Sequence, residues 1–265
     1  MSSKTYIICW DKSIENCLDI HSQLVDSSVD YVIYNVSSTD VELENWKRVP
    51  DTRYYSHFYR ALKDFVASNH DVFIFNAGDV EYPSYALYTK HIEYLFDKDK
   101  SIGAYAPRMT HDVFSGKGSF IAESKVHSGL ALSTHTNGIY TSLSRDVAEF
   151  MFNFMEWAKR NALTDWKSIV SGWGLDTAYC AYAISRGKKI YRDSQTIMLH
   201  QEGTSYNEEK ATNEMYFVMN EFKNFCFYKN INPEEIQKIY DILYDKVRTR
   251  RDVDISELYM KEVLY

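Results

Sequence analysis

The first hundred residues alternate short apolar runs with amphipathic segments, and this alternation narrows the possible folds more than any other feature of the chain. Lys4 to Trp10, Tyr31 to Val36, Asp71 to Phe75 and Ile102 to Ala106 read as strands. Between them apolar side chains recur at helical spacing: Ile14, Cys17, Leu18, His21, Leu24 and Val25, then Tyr55, Phe58, Tyr59, Leu62, Phe65 and Val66. A third set, Tyr88, His91, Ile92, Leu95 and Phe96, follows Pro83, which suits the first turn of a helix. Such alternation calls for right-handed crossovers and a mainly parallel sheet. The run from Asp71 to Phe75 is nearly all apolar, as a central parallel strand requires. After the first strand, Cys9-Trp10-Asp11-Lys12 lacks the glycine spacing of a dinucleotide site, which disfavours that enzyme class.

The second half has a different texture. His111 to Lys125 is polar, contains Gly116 and Gly118, and reads as a loop. Gly129 to Ser133 and Gly138 to Leu143 are short strand-like runs. Val147, Phe150, Met151, Phe154, Trp157 and Ala158 mark a strong helix, and Leu175 to Ser185 another, closed by Gly187. Lys189 to Arg192 and Thr196 to Leu199 suggest two short strands. Helices are then expected from about Glu208 to Tyr228 and from Pro233 to Val247, followed by Arg248, Arg250 and Arg251. The expected organisation is an α/β domain over residues 1–206, with a helical extension over 207–265 packed on it.

Composition bounds the function. A formal net charge of −7 argues against coating a nucleic acid, which usually takes a basic face. The four cysteines show no metal spacing, and Cys9 and Cys180 lie in apolar runs where buried thiols are common. Reduced thiols, a first apolar run too short for a signal peptide and the lack of a membrane-length run point to the cytoplasm. The terminal arginines leave open a peripheral contact with an anionic membrane face. Tyrosine is abundant, at 22 residues, and most of these serve packing.

Three polar points stand out. Asn76-Ala77-Gly78-Asp79 directly follows the third strand, at the carboxyl end where ligands gather in open α/β sheets. Asp79 there can hold a divalent cation or can simply close a turn. His200 ends a strand-like run and can complete a metal shell or cap a sheet edge. In Ser171-Gly172-Trp173-Gly174-Leu175-Asp176, two glycines bend the chain around a flat ring, and an acid opens an apolar helix. Asp176 reads either as an N-cap or as a base for an acceptor hydroxyl, with Trp173 as a sugar-stacking wall or a buried anchor. Arg108 can meet a phosphate or a carboxylate, and Asn137-Gly138 forms a tight turn near a donor.

These residues resemble the GT-A-type glycosyltransferases, especially bacterial enzymes of surface polysaccharide synthesis. The resemblance rests on the strand–helix alternation, on Phe73 to Asp79 as a strand plus a metal motif, on Gly172-Trp173-Gly174-Leu175-Asp176, and on the late His200. It covers residues 4–206. The motif departs from the family pattern at Asn76 and Gly78, where carboxylates often sit. The resemblance implies a Rossmann-related, mixed and mostly parallel sheet flanked by helices. It implies transfer of a sugar from a nucleoside diphosphate sugar, a UDP-sugar above all, to a glycan or lipid-linked glycan. Asp79 and His200 would hold Mn²⁺ or Mg²⁺, and Asp176 would be the base of an inverting reaction. Trp10, Asp11, Asn76, Arg108, Asn137, Gly138, Gly172, Trp173 and Gly174 would line the substrate site. Two other classes use similar residues. A nucleotidyltransferase would be expected to show a basic, glycine-rich N-terminal loop, which is missing here. A non-catalytic glycan-binding module would need neither Asp79 nor a nucleotide.

Overall fold

The parallel core expected of the N-terminal half forms in a computed structural model, which describes residues 1–110, 129–134, 136, 138–161, 172–200 and 208–241. β1 (Ser3–Cys9) pairs in parallel with β2 (Asp30–Asn35) and β4 (Val72–Ala77). A short strand that the sequence pattern does not announce, β3 (Trp46–Arg48), extends this parallel edge beyond β2. The crossovers are α1 (Ile14–Leu24) and α2 (Arg53–Val66). Beyond β4 the sheet becomes mixed. A two-residue strand β5 (Val80–Glu81) leads to α3 (Tyr85–Lys98), then β6 (Ile102–Met109), β7 (Leu130–Leu132) and β8 (Tyr140–Ser144). β8 lies antiparallel between β4 and β6. The chain continues through α4 (Arg145–Asn161), α5 (Leu175–Ser185), β9 (Lys189–His200), α6 (Glu208–Tyr228) and α7 (Pro233–Asp241). Among the described residues the strand order is β3-β2-β1-β4-β8-β6-β9-β5, with β7 also on β9. The expected loop at His111–Lys125, Asn137, Ser171, Gly203, the helix end at Val247 and the terminal arginines lie outside the described residues.

Two apolar layers sandwich this sheet. On one face Ile7, Cys9, Tyr31, Ile33 and Ile74 meet α1 and α3. On the other, Tyr6, Ile8, Phe73 and Phe75 meet α2, α4 and α5. Alternating residues of one strand thus serve opposite layers, as pleating requires. α6 and α7 belong to the second layer through Val218, Met219, Phe222, Phe225, Cys226, Ile236 and Ile239. Phe222 and Phe225 interleave with Phe150 and Phe154 of α4, and the Phe150 ring stacks on Tyr182 at 3.6 Å. All four cysteines are buried and unbridged. None of the described helices is long and apolar enough to cross a membrane.

Three local expectations are corrected. Pro83 lies outside its helix, because Ser84 is the N-cap of α3 and its hydroxyl accepts from Leu87 N–H. The two short strands expected near the end of the sheet are one, β9, interrupted by a bulge. Asp176 is not an N-cap, since Gly174 fills that position with φ 92°.

Candidate active site

The carboxyl end of β4 is the centre of the polar cluster. Gly78 N–H donates to Ile8 O at 2.8 Å, which pulls the turn against β1. A Cβ at Gly78 would stand 2.4 Å from Ile8 O and 2.5 Å from Cys17 Sγ, so only glycine fits the approach. Asn16 Nδ2 holds the turn from α1, donating to Gly78 O at 2.7 Å and Val80 O at 2.8 Å. The chain then reverses into β5, which pairs antiparallel with the end of β9 and sets Val80 opposite His200. In consequence His200 Nε2 lies 3.6 Å from Asp79 Oδ2, although the two residues are far apart in the chain. The His200 side chain is 9% exposed and that of Asp79 38%.

Asp79 Oδ1 is buried with no hydrogen-bond partner among the described residues. An unsatisfied buried carboxylate oxygen is costly unless something binds it. A carboxylate oxygen beside an imidazole nitrogen is a donor set that Mn²⁺ or Mg²⁺ accepts. No group of three His, Cys, Asp or Glu within metal-holding reach exists among the described residues. The pair therefore fits an ion that completes its shell with ligands from outside the described protein groups, rather than one caged by them alone.

Asp176 is the second residue of α5, and its Oδ1 accepts the N–H of Thr177 at 2.8 Å. It reaches the cluster through Tyr54, at the start of α2. The Tyr54 hydroxyl donates to the carbonyl of Gly138. A Cβ on Gly138 would lie 3.5 Å from that hydroxyl and 4.0 Å from Asp176 Cβ. Gly172 has φ 74°, and a Cβ there would stand 2.9 Å from Tyr54 Cδ1. Burial, then the charge of Asp176, then that of Asp79 push the Tyr54 phenol well above its ordinary range, so it stays a neutral donor between two carboxylates. Tyr54 thus packs against both the 138 turn and the Gly172 turn, within the field of the two acids.

On the β1 side, a cleft of about 520 Å³ opens at the carboxyl ends of β1, β2 and β3. Asp11, Val36, Ser37, Ser38, Arg48 and Asp51 are among the residues lining it. Asp11 Oδ1 accepts from Ser38 N–H at 2.6 Å and from Ser38 Oγ at 2.7 Å. Those two bonds, with Arg48 nearby, hold the Asp11 carboxyl below its usual range. Trp10 is partly buried, with its N–H donated to Ser13 Oγ at 2.9 Å.

The remaining expected residues separate into two groups. Gly138 and Gly172 lie within the cluster described above, Gly174 lies against Met215 of α6, and Trp173 sits between Gly172 and Gly174, partly buried. Arg108 is near the carboxyl end of β6, opposite Ile197. Asn76 is fully buried on the α3 face, with Nδ2 3.5 Å from the Tyr85 hydroxyl, so its side chain lies under the turn rather than on the cleft wall. Sequence reasoning missed Tyr54, Asn16, Ser38 and Arg48. Ser38 follows the end of β2, a position that could have marked it, whereas Arg48 belongs to β3, which the sequence pattern does not announce. For Tyr54 no signal separates it from the core aromatics around it.

No family model and no curated protein sequence matches the chain. Solved structures do match at the level of fold. A crystal structure of GalNAc-T7 with UDP, GalNAc and Mn²⁺ superposes over 98% of this chain and 54% of that one, with TM-score 0.53 and 13% identity. A crystal structure of S. aureus TarS superposes over 97% of this chain and 45% of that one, with TM-score 0.53 and 11% identity. The chain spans about half the length of these structures. Its fold is GT-A-like: a mixed, mostly parallel sheet flanked by helices.

Proposed function

We propose that this protein is a metal-assisted glycosyltransferase that moves a sugar from a nucleoside diphosphate sugar, a UDP-sugar first of all, to a hydroxyl of a glycan or lipid-linked glycan. The observation that carries the reading is the meeting of Asp79 and His200, 3.6 Å apart at the carboxyl ends of β4 and β9, with Asp176 beside Gly138, whose carbonyl the Tyr54 hydroxyl holds. The cleft of about 520 Å³ beside Asp11 has room for a nucleoside in the range typical of ligand pockets. From there to Asp79 the path runs along strand ends, where loops leave backbone groups facing a bound ligand.

In this reading Asp79 and His200 hold the divalent ion, Mn²⁺ or Mg²⁺. When bound, it would neutralise the departing diphosphate. Arg108 and Gly138 line the donor side. Trp173 presents its ring to the acceptor sugar, whose hydroxyl gives its proton to an Asp176 oxygen, and the reaction inverts the anomeric centre. Tyr54 keeps Asp176 and the 138 turn at fixed separation. The GalNAc-T7 structure contains UDP, GalNAc and Mn²⁺ in the same fold, and TarS offers a bacterial example of that fold. By analogy the chain acts in bacterial surface polysaccharide synthesis, in the cytoplasm at the inner face of the membrane. The helices from residue 208 onward act as an extension of one catalytic domain, which their share in the α4–α5 core supports.

A screen of nucleotide sugars with Mn²⁺, read by released nucleotide and by transfer to a glycan acceptor, tests the reading. Asp176→Asn should cut turnover by roughly 10²–10⁴-fold while donor binding persists. Near-normal turnover in that variant would remove Asp176 as the base. If no nucleoside diphosphate with Mn²⁺ raises the melting temperature, transfer itself is refuted in favour of a glycan-binding module. Pyrophosphate release from a nucleoside triphosphate and a sugar phosphate would instead mark a nucleotidyltransferase.

A further inference from the structure

The bulge in β9 decides which side chain arrives beside Asp79. β6 and β9 run parallel, with Tyr105 opposite Tyr191 and Pro107 opposite Asp193. One step further along β6, Arg108 faces Ile197, and Met109 faces Met198. Residues 194–196 therefore stand outside the ladder. Their number is odd, so the inward–outward alternation of β9 inverts across the bulge. Asp193, Met198 and His200 come to share the face that looks toward α3, β5 and Asp79. Without the inversion Ile197 and Leu199 would take that face. Both are instead more than half exposed, while Met198 is fully buried.

What holds the bulge is Asp193, which is 3% exposed. Its Oδ1 accepts the N–H groups of Gln195 at 2.8 Å and Thr196 at 3.1 Å. Its Oδ2 accepts from Thr196 Oγ1 at 2.6 Å and from the Tyr105 hydroxyl at 2.8 Å. Tyr88 supports Tyr105 from α3 with a bond of 3.1 Å. The carboxyl group thus satisfies two backbone donors that the bulge takes out of the sheet, and ties the loop to β6 and α3. Past the bulge the strand is picked up by Thr110, whose N–H donates to Met198 O at 3.0 Å and whose hydroxyl accepts His200 N–H at 3.2 Å.

We propose that Asp193 is a positioning residue, which fixes the phase of β9 so that the His200 imidazole faces Asp79. Its consequence for the ion rests on the metal reading given under the proposed function. The test measures Mn²⁺ affinity by electron paramagnetic resonance with UDP present, on the full chain and well below the unfolding temperature of each variant. Asp193→Asn keeps one acceptor for the two backbone N–H groups, but the amide nitrogen in place of Oδ2 can accept from neither Tyr105 nor Thr196. It should weaken Mn²⁺ binding roughly 10- to 100-fold, as loss of a group that orients a metal ligand does. His200→Ala should weaken binding comparably, and adding Asp193→Asn to it should cost little more, because both act through one side chain. Thr196→Val removes a single bond and should give a smaller shift of the same kind. It carries the same comparison if Asp193→Asn does not fold. Wild-type Mn²⁺ affinity in folded Asp193→Asn, or a loss that adds in full to that of His200→Ala, overturns the proposal. If the wild type binds no Mn²⁺ the metal reading fails separately, and amide exchange then decides the positioning. Lost protection at Val80 and His200 in the variant upholds it, and unchanged protection overturns it.

Discussion

On one flank of the β4 carboxyl end, Asp11, Ser38 and the Gly78 turn are fixed by contacts among neighbouring parallel strands and the helix that follows β1. On the other flank, Asp79, Asp176 and Tyr54 depend on segments drawn from the whole length of the chain: the 138 turn, the glycines at 172 and 174, and the end of β9. The first flank has a tight backbone fit and short hydrogen bonds, such as Gly78 N–H to Ile8 O and Asp11 to Ser38. The second is joined by side chains: the Tyr54 hydroxyl on Gly138, and His200 beside Asp79. A frame made by packing and a set of reactive groups made by long-range polar contacts should respond differently to substitution. The frame should lose stability, and the reactive flank should lose activity.

The largest effect should come from Gly78→Ala. Its new methyl meets backbone at Ile8 O and has no room to relax, so a loss of about 3 kcal/mol is expected. Urea denaturation measures it, and a loss below about 1 kcal/mol would mean that the frame yields more than its packing implies. A smaller effect concerns His57, which is fully buried, with its Nε2 4.0 Å from Oδ1 of the cleft residue Asp51. Burial first, then neighbouring Arg60, pushes its imidazole down from 6.5 to about 4. The unfolded chain therefore binds this proton at higher pH than the folded one does. Stability should fall as pH drops from about 6.5 to about 4, by about 2 kcal/mol once residual hydration is allowed for. Melting curves across that window should flatten in His57→Gln, and an unchanged slope would remove His57 as the cause. The smallest change in stability, about 1 kcal/mol, is expected for Tyr54→Phe, which leaves the Gly138 carbonyl without its donor. Turnover in that variant should nevertheless fall about 10-fold, since a positioning loss of this size costs about one decade. A variant that loses stability but not turnover would erase the distinction between the two flanks.

The same contrast explains what the sequence could announce. The apolar periods of α1, α2, α3 and α4 and the runs of β1, β2, β4 and β6 are set by burial within each segment, so they were legible. Gly78-Asp79 was legible as a strand-end turn. β3 and β5 were not, because each is too short to show an alternation and exists through its partner strand. Asp193 was invisible for a related reason: only the register of β9 against β6 reveals that a carboxyl group replaces lost ladder bonds. Of the two readings of Asp176, as a helix cap or as a base, the cap falls away, because the left-handed Gly174 opens the helix and leaves the acid as its second residue, beside Gly138.

The interleaved rings of Phe150, Phe154, Phe222 and Phe225 have a practical corollary. A shortened version ending before Glu208 would bare Phe150 and Phe154 to water and invite self-association. Because α6 and α7 both belong to this core, a version trimmed toward the half that looks like a nucleotide-binding domain should lose part of its floor.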